Sequence, residues 1–151
     1  MKARSFLSPQ EIKDVVAAIV AAEKATSGEI RVHIEDRCGA DPRIGALRAF
    51  RKLKMHKTAA RNGVLVYVAC VSHKFAVIGD EGINNVVPDD FWQDVVNAIG
   101  AAFSEGRFAE GISEGIHMIG EKLKAFFPYQ SDDVNELPDD ISFGSCDENQ
   151  E

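Results

Sequence analysis

The sequence predicts an α/β protein: a three-layer α/β/α sandwich around a small mixed sheet, built from a parallel βαβ unit and a β-hairpin. Three observations carry that prediction. Residues 64–71, VLVYVACV, form an apolar run too short to span a membrane and rich in the β-branched residues that favour strands. A strand apolar on both sides must be covered on both, which calls for helices above and below the sheet. A second apolar run, FAVI at 75–78, follows the short turn Ser72-His73-Lys74, and so brief a connection permits only antiparallel pairing. Upstream, Glu29 to Glu35 alternates strictly. Ile30, Val32 and Ile34 point one way and Arg31, His33 and Glu35 the other, the pattern of a half-buried strand.

The helices follow from period and punctuation. Ser8-Pro9-Gln10-Glu11 combines a capping hydroxyl, a proline suited to the first helical position and the glutamate of a capping box. Ile12, Val15, Val16, Ile19 and Val20 then recur at helical spacing, and the helix is expected to stop near Thr26-Ser27-Gly28. Asp41-Pro42 opens a second helix whose stripe runs through Ile44, Leu47, Phe50 and Leu53, the side expected to be core. Pro88-Asp89-Asp90 opens a third with Phe91, Trp92, Val95, Val96, Ile99 and Phe103. A last helix spans about Arg107 to Phe127 before Pro128. The expected order is α-β-α-β-β-α-α. The connection between the first two strands is long enough for a right-handed crossover, so they should be parallel.

Charge is unevenly placed. Residues 129–151 hold eight acids and no Lys or Arg, against a formal net charge of −7 for the chain, so residues 1–128 carry about +1. The expected organisation is therefore one domain at 1–128 and an acidic, largely flexible tail at 129–151. The island Leu137–Phe143 carries three apolar residues and is expected to dock, either on the basic Arg43–Arg61 segment or on a partner. That segment holds seven Lys or Arg residues and no acid, yet the near-neutral body is not the composition of a nucleic-acid binder. Cys38, Cys70 and Cys146 are odd in number and widely spaced, which argues against a disulfide framework or zinc site. With no signal-like leader and no apolar stretch of membrane-spanning length, a cytoplasmic protein is expected.

The topology has a consequence for function. The start of the first strand (Ser27, Gly28, Glu29), the start of the second (Arg61, Asn62, Gly63) and the end of the third (Gly79, Asp80, Glu81, Gly82) should meet at one edge of the sheet. Glu29, Asp80 and Glu81 are candidate ligands for a divalent cation, calcium or magnesium, with Asn62 adding an amide oxygen. A metal there would bind phosphate and activate water. The plainer alternative is that Asp-Glu-Gly makes a turn and Glu29 merely begins a strand. His33, His73 and His117 accompany no nucleophile motif and read as structural or solvent-facing.

Several segments together resemble one family. Phe6-Leu7-Ser8 opens a helix; Thr26-Ser27-Gly28-Glu29-Ile30-Arg31-Val32, Arg61-Asn62-Gly63-Val64-Leu65, Val77-Ile78-Gly79-Asp80-Glu81-Gly82-Ile83 and Gly106-Arg107-Phe108-Ala109-Glu110-Gly111-Ile112 follow in order. This pattern, over roughly residues 5–128, resembles the TPM domain family of thylakoid-lumen phosphatase-like proteins, photosystem II repair factors and many bacterial proteins. The resemblance implies an α/β/α sandwich and, for some members, acid phosphatase activity and calcium binding. Catalytic use of Asp80 and Glu81, with Asn62 and Arg61 binding substrate, is implied only by this resemblance and not by the spacing. Two departures stand out. Many relatives have a signal peptide and membrane anchor, whereas this chain looks like a bacterial-type member with neither. The usual Gly-Leu-Glu after the third strand is replaced by earlier acids, Asp80 and Glu81. Two functions are thus expected: a non-catalytic interaction or regulatory module, associated with a membrane through its partner, or a weak metal-dependent acid phosphatase at the edge formed by residues 27–29, 61–63 and 79–82.

Overall fold

A computed structural model describes residues 2–129 and 139–144. Strands β1 (Glu29–Glu35) and β2 (Gly63–Ala69) pair in parallel along their whole lengths, from Glu29 opposite Gly63 to Glu35 opposite Ala69. Strand β3 (Lys74–Gly79) returns antiparallel on β2, with Val64 opposite Gly79. A fourth strand, β4 (Ile141–Gly144), pairs in parallel with the second half of β1, giving the order β3-β2-β1-β4.

Helices cover both faces, as a sheet with apolar central strands requires. One layer holds α1 (Pro9–Glu23), α4 (Gln93–Ser104) and α5 (Phe108–Lys124). Ser8 and Glu11 cap α1 reciprocally, as the sequence predicts. Val15, Ile19, Ile99, Ile112 and Ile116 pack there on Ile30, Val32 and Val66, all fully buried. Each such side chain contributes about 1.5–3 kcal/mol by leaving water. The other layer is α2 (Pro42–Lys52), packed on β2 and β3.

Helix α2 differs from its expected orientation. Its buried positions are Gly45, Ala46, Ala49 and Phe50, whereas Ile44 and Leu47 are 59% and 54% exposed. The reason is the bulk beneath it. Tyr67 is wholly buried, and a Cβ on Gly45 would lie 2.5 Å from its hydroxyl, so only the small-residue side of the helix can approach. In α1, likewise, Val20 is left 37% exposed while Ala22 is buried. Helix α4 begins at Gln93 rather than at Pro88. Residues 88–92 form turns in which Phe91 packs edge-on against Trp92, and Trp92 is the residue that precedes the helix.

Strand β1 is buried on both faces, not one. His33 and Glu35 are only 5% and 4% exposed, and buried polar groups require partners. They find them across the sheet. His33 Nδ1 lies 2.7 Å from the Ser142 hydroxyl and its Nε2 lies 3.2 Å from Glu35, whose other oxygen accepts the Tyr67 hydroxyl at 2.5 Å.

Strand β4 is the largest departure from expectation. Part of the Leu137–Phe143 island forms a strand against β1, while α2, which begins the Arg43–Arg61 segment, packs at the opposite end of the sheet. Ile141 is buried, Ser142 meets His33, and the Arg4 guanidinium lies 5.5 Å from the Phe143 ring centre. Leu137 and residues 145–151 lie outside the described residues.

Two measurements probe these layers. Gly45→Ala should destabilise the chain by about 1–3 kcal/mol in urea unfolding, because the added methyl overpacks a rigid site. Gly39→Ala, with nothing within 4 Å of the new methyl, should not. The approach to β4 should respond to pH. Burial, then a hydrogen bond to Asp139, push the Glu23 carboxyl from its ordinary 4.5 up to about 10, with Glu29 adding repulsion. The folded chain keeps this proton where the unfolded chain releases it. Stability from this group is therefore present at low pH and lost as pH climbs from about 4.5 toward 10. Urea midpoints should fall between pH 6 and pH 9 more steeply for the parent protein than for Glu23→Gln. Parallel slopes would show that Glu23 does not hold this proton.

Candidate functional site

The three predicted loops do converge. Register fixes this: β1 and β2 begin side by side, and β3 ends beside the start of β2. Backbone hydrogen bonds tie the loops together, from Glu29 N–H to the Asn62 carbonyl, Asp80 N–H to the Gly63 carbonyl, and Gly82 N–H to the Arg61 carbonyl. The approach at Gly82 is so close that a Cβ there would lie 2.3 Å from the Ala60 carbonyl oxygen, which excludes any side chain without backbone movement.

Arg61 dominates the side-chain chemistry. Its backbone is left-handed, with φ of 51°, an uncommon state for a residue with a side chain. Its guanidinium grips Asp80 with two parallel bonds, Nε to Oδ2 at 2.7 Å and Nη2 to Oδ1 at 2.9 Å, and reaches Glu81 at 3.1 Å. Hydrogen bonding to Asp80 pushes the Arg61 pKa further up. Asp80 has a second duty. It is the N-cap of a short helix, α3 (Glu81–Asn84), and Oδ1 also accepts the Glu81 N–H at 2.8 Å. The acidic glycine loop of the sequence is thus a helix start.

The other predicted residues are placed differently. Asn62 is 3% exposed and donates to the Ser27 carbonyl at 3.3 Å, stitching the β1 and β2 loops together. Glu29 is 4% exposed and raises the pKa of Glu23 by repulsion. Neither lines the nearby cavity of about 390 Å³, whose wall includes Arg61, Asp80 and Glu81. Arg51, His56 and Asn84 complete its polar lining, with Leu47, Phe50 and Ile78 as its apolar part. Arg51 and His56 come from the acid-free run between Arg43 and Arg61, whose sequence offers either a grip for phosphate-bearing ligands or a solvated helix face.

As arranged, this set does not fit a divalent cation. Such ions take six or more oxygen ligands, and here the Asp80 oxygens are already held by Arg61 and a backbone N–H. Among the described residues, no group of three or more His, Cys, Asp or Glu is spaced to hold a metal, and no helix is long and apolar enough to cross a membrane.

Comparison with known proteins agrees with this architecture. Residues 1–122 match the model of the TPM domain family. The NMR structure of BA42 from the psychrophilic bacterium Bizionia argentinensis is 47% identical, with a TM-score of 0.86 over 92% of this chain and 96% of that one. The N-terminal domain of cg2496 from Corynebacterium glutamicum is similar in fold alone, at 16% identity and a TM-score of 0.58 over 89% of this chain and 79% of that one. No curated protein matches the sequence. The chain belongs to the TPM domain family.

Proposed function

We propose that this TPM domain is a non-catalytic interaction or regulatory module, acting through a protein partner. The supporting observation is the bidentate pair between Arg61 and Asp80. It commits the best-placed carboxylate of the loop edge to an ion pair and a helix cap, both structural tasks. Glu81, the remaining acid in the cavity wall, is 63% exposed and shares the same guanidinium. A general acid or base must exchange a proton with its substrate, and three hydrogen bonds from Arg61 and the Glu81 N–H already occupy most of the acceptor capacity of Asp80.

A weak phosphatase at the same edge is the second reading. It draws on the family resemblance and on one feature of the cavity, where Arg51, His56 and Arg61 share a wall, a donor set suited to phosphate oxygens.

Asp80 variants separate the two. With 4-nitrophenyl phosphate and added calcium or magnesium, the parent protein and Asp80→Asn should show the same residual hydrolysis. Turnover that vanishes in Asp80→Asn would overturn the interaction reading. The stability of the same position should follow its two structural tasks. Asn can still cap α3, so Asp80→Ala should lose about 1 kcal/mol more than Asp80→Asn in urea unfolding.

A further inference from the structure

Among the described residues strand β3 ends the sheet and its outer side has no strand partner, although the Gly79 carbonyl accepts the Asn84 side-chain amide at 3.0 Å. Sheet edges are normally blunted by charge, proline or shortness, because a bare edge is a template for another chain. Beyond Lys74, β3 reads Phe75-Ala76-Val77-Ile78-Gly79, with no charge and no proline. The opposite edge, β4, has only four residues.

A groove follows the Val77–Gly79 end of this edge. The cavity of about 390 Å³ at the loop edge adjoins a second of about 440 Å³, and the two share Leu47, Ile78, Gly79 and Asn84. One wall is α2, which contributes Arg43, Leu47, Phe50 and Arg51 to the lining. The other wall is Val87, Pro88, Asp89, Phe91 and Trp92, with exposed Asp90 in the same segment. The Trp92 indole N–H is buried and has no acceptor among the described residues.

We propose that this edge binds an extended segment of another protein, added to β3 as a fifth strand, with acidic and apolar residues in alternation. The pattern follows from strand geometry. Successive side chains of an added strand point to opposite faces of the sheet. On one face they meet the arginines of α2, and on the other the apolar wall at Phe91 and Trp92. Backbone pairing would supply affinity, and charge would select the partner. Arg61 offsets one of the two charges of Asp80 and Glu81 at the loop end of the groove. Asp89 stands on the wall opposite α2, and the selection rests on Arg43 and Arg51 of the α2 wall. This proposal rests on the interaction-module reading; Asp80-dependent turnover bears on that reading, whereas the experiment below reads the β3 edge alone.

Trp92 is the chain's one tryptophan and serves as the reporter. The full chain is titrated with a blocked seven-residue peptide alternating Glu and Val, and with its Lys counterpart. A saturable change in Trp92 fluorescence with the Glu peptide only is expected, together with backbone amide shifts centred on residues 74–79. The exposed-site variant Arg43→Glu/Arg51→Glu, checked for folding by circular dichroism, should bind roughly tenfold more weakly, and added salt should act in the same direction. No saturable change, an equal response to the Lys peptide, or amide shifts centred elsewhere would overturn the proposal. A Trp92 change that follows protein concentration without peptide would assign the edge to a second copy of this chain and overturn it too.

Discussion

The parallel pairing of β1 with β2 is the constraint from which the rest of this structure follows. Seven residues on each strand are matched in register, and β2 is buried along its entire length. Parallel neighbours cannot be joined by a tight turn, so the chain must leave the sheet between them and cross over one face as α2. The other face then belongs to α1, α4 and α5. The same register sets the starts of β1 and β2 side by side, and the β3 return adds its end beside them. The loop edge is therefore a product of topology, with the Arg61–Asp80 pair as its clasp.

That constraint also explains which parts of the fold could be read from residues. Period and punctuation are local, and they gave the capping box of α1, the alternation of β1 and the hairpin. The identity of the loops that meet followed from counting connections. What local patterns do not encode is which side of an amphipathic segment finds a neighbour. Ile44 and Leu47 repeat at helical spacing and look like core, but Gly45, Ala46 and Ala49 are what the bulk of Tyr67 admits. Strand β4 was hidden for a similar reason. Four residues in an acidic stretch have little strand character alone, and only the open edge of β1 makes them one. At the candidate site, Arg61, Asp80 and Glu81 were legible as neighbours, whereas their ion pairing was not, because it depends on the left-handed turn at Arg61.

The buried face of β1 shows how polar residues can specify a sheet. Ser142, His33 and Tyr67 stand opposite one another on three adjacent strands. Glu35, two residues along on the same face, accepts the Tyr67 hydroxyl and lies against His33. Moving β4 by one residue along β1 would remove Ser142 from His33 and place Ile141 or Phe143 opposite it. A side-chain period of two makes such a slip turn every residue to the other face. An apolar β4 would tolerate several registers; a strand carrying one serine against one buried histidine tolerates far fewer.

A serine, a histidine and a glutamate in contact also invite comparison with a hydrolytic triad, and the geometry argues against it. In a triad the carboxylate fixes one imidazole nitrogen so that the other can take a proton from a nucleophile open to substrate. Here His33 is 5% exposed, its Ser142 partner belongs to the strand ladder, and Glu35 is shared with Tyr67. The Ser142 hydroxyl also lies 3.4 Å from the Val32 carbonyl, within β1 itself. Each polar atom of the network is spent on joining strands, which is the same use the structure makes of Asp80 and Arg61 at the loop edge. In both places charge and hydrogen bonding fix the positions of backbone segments.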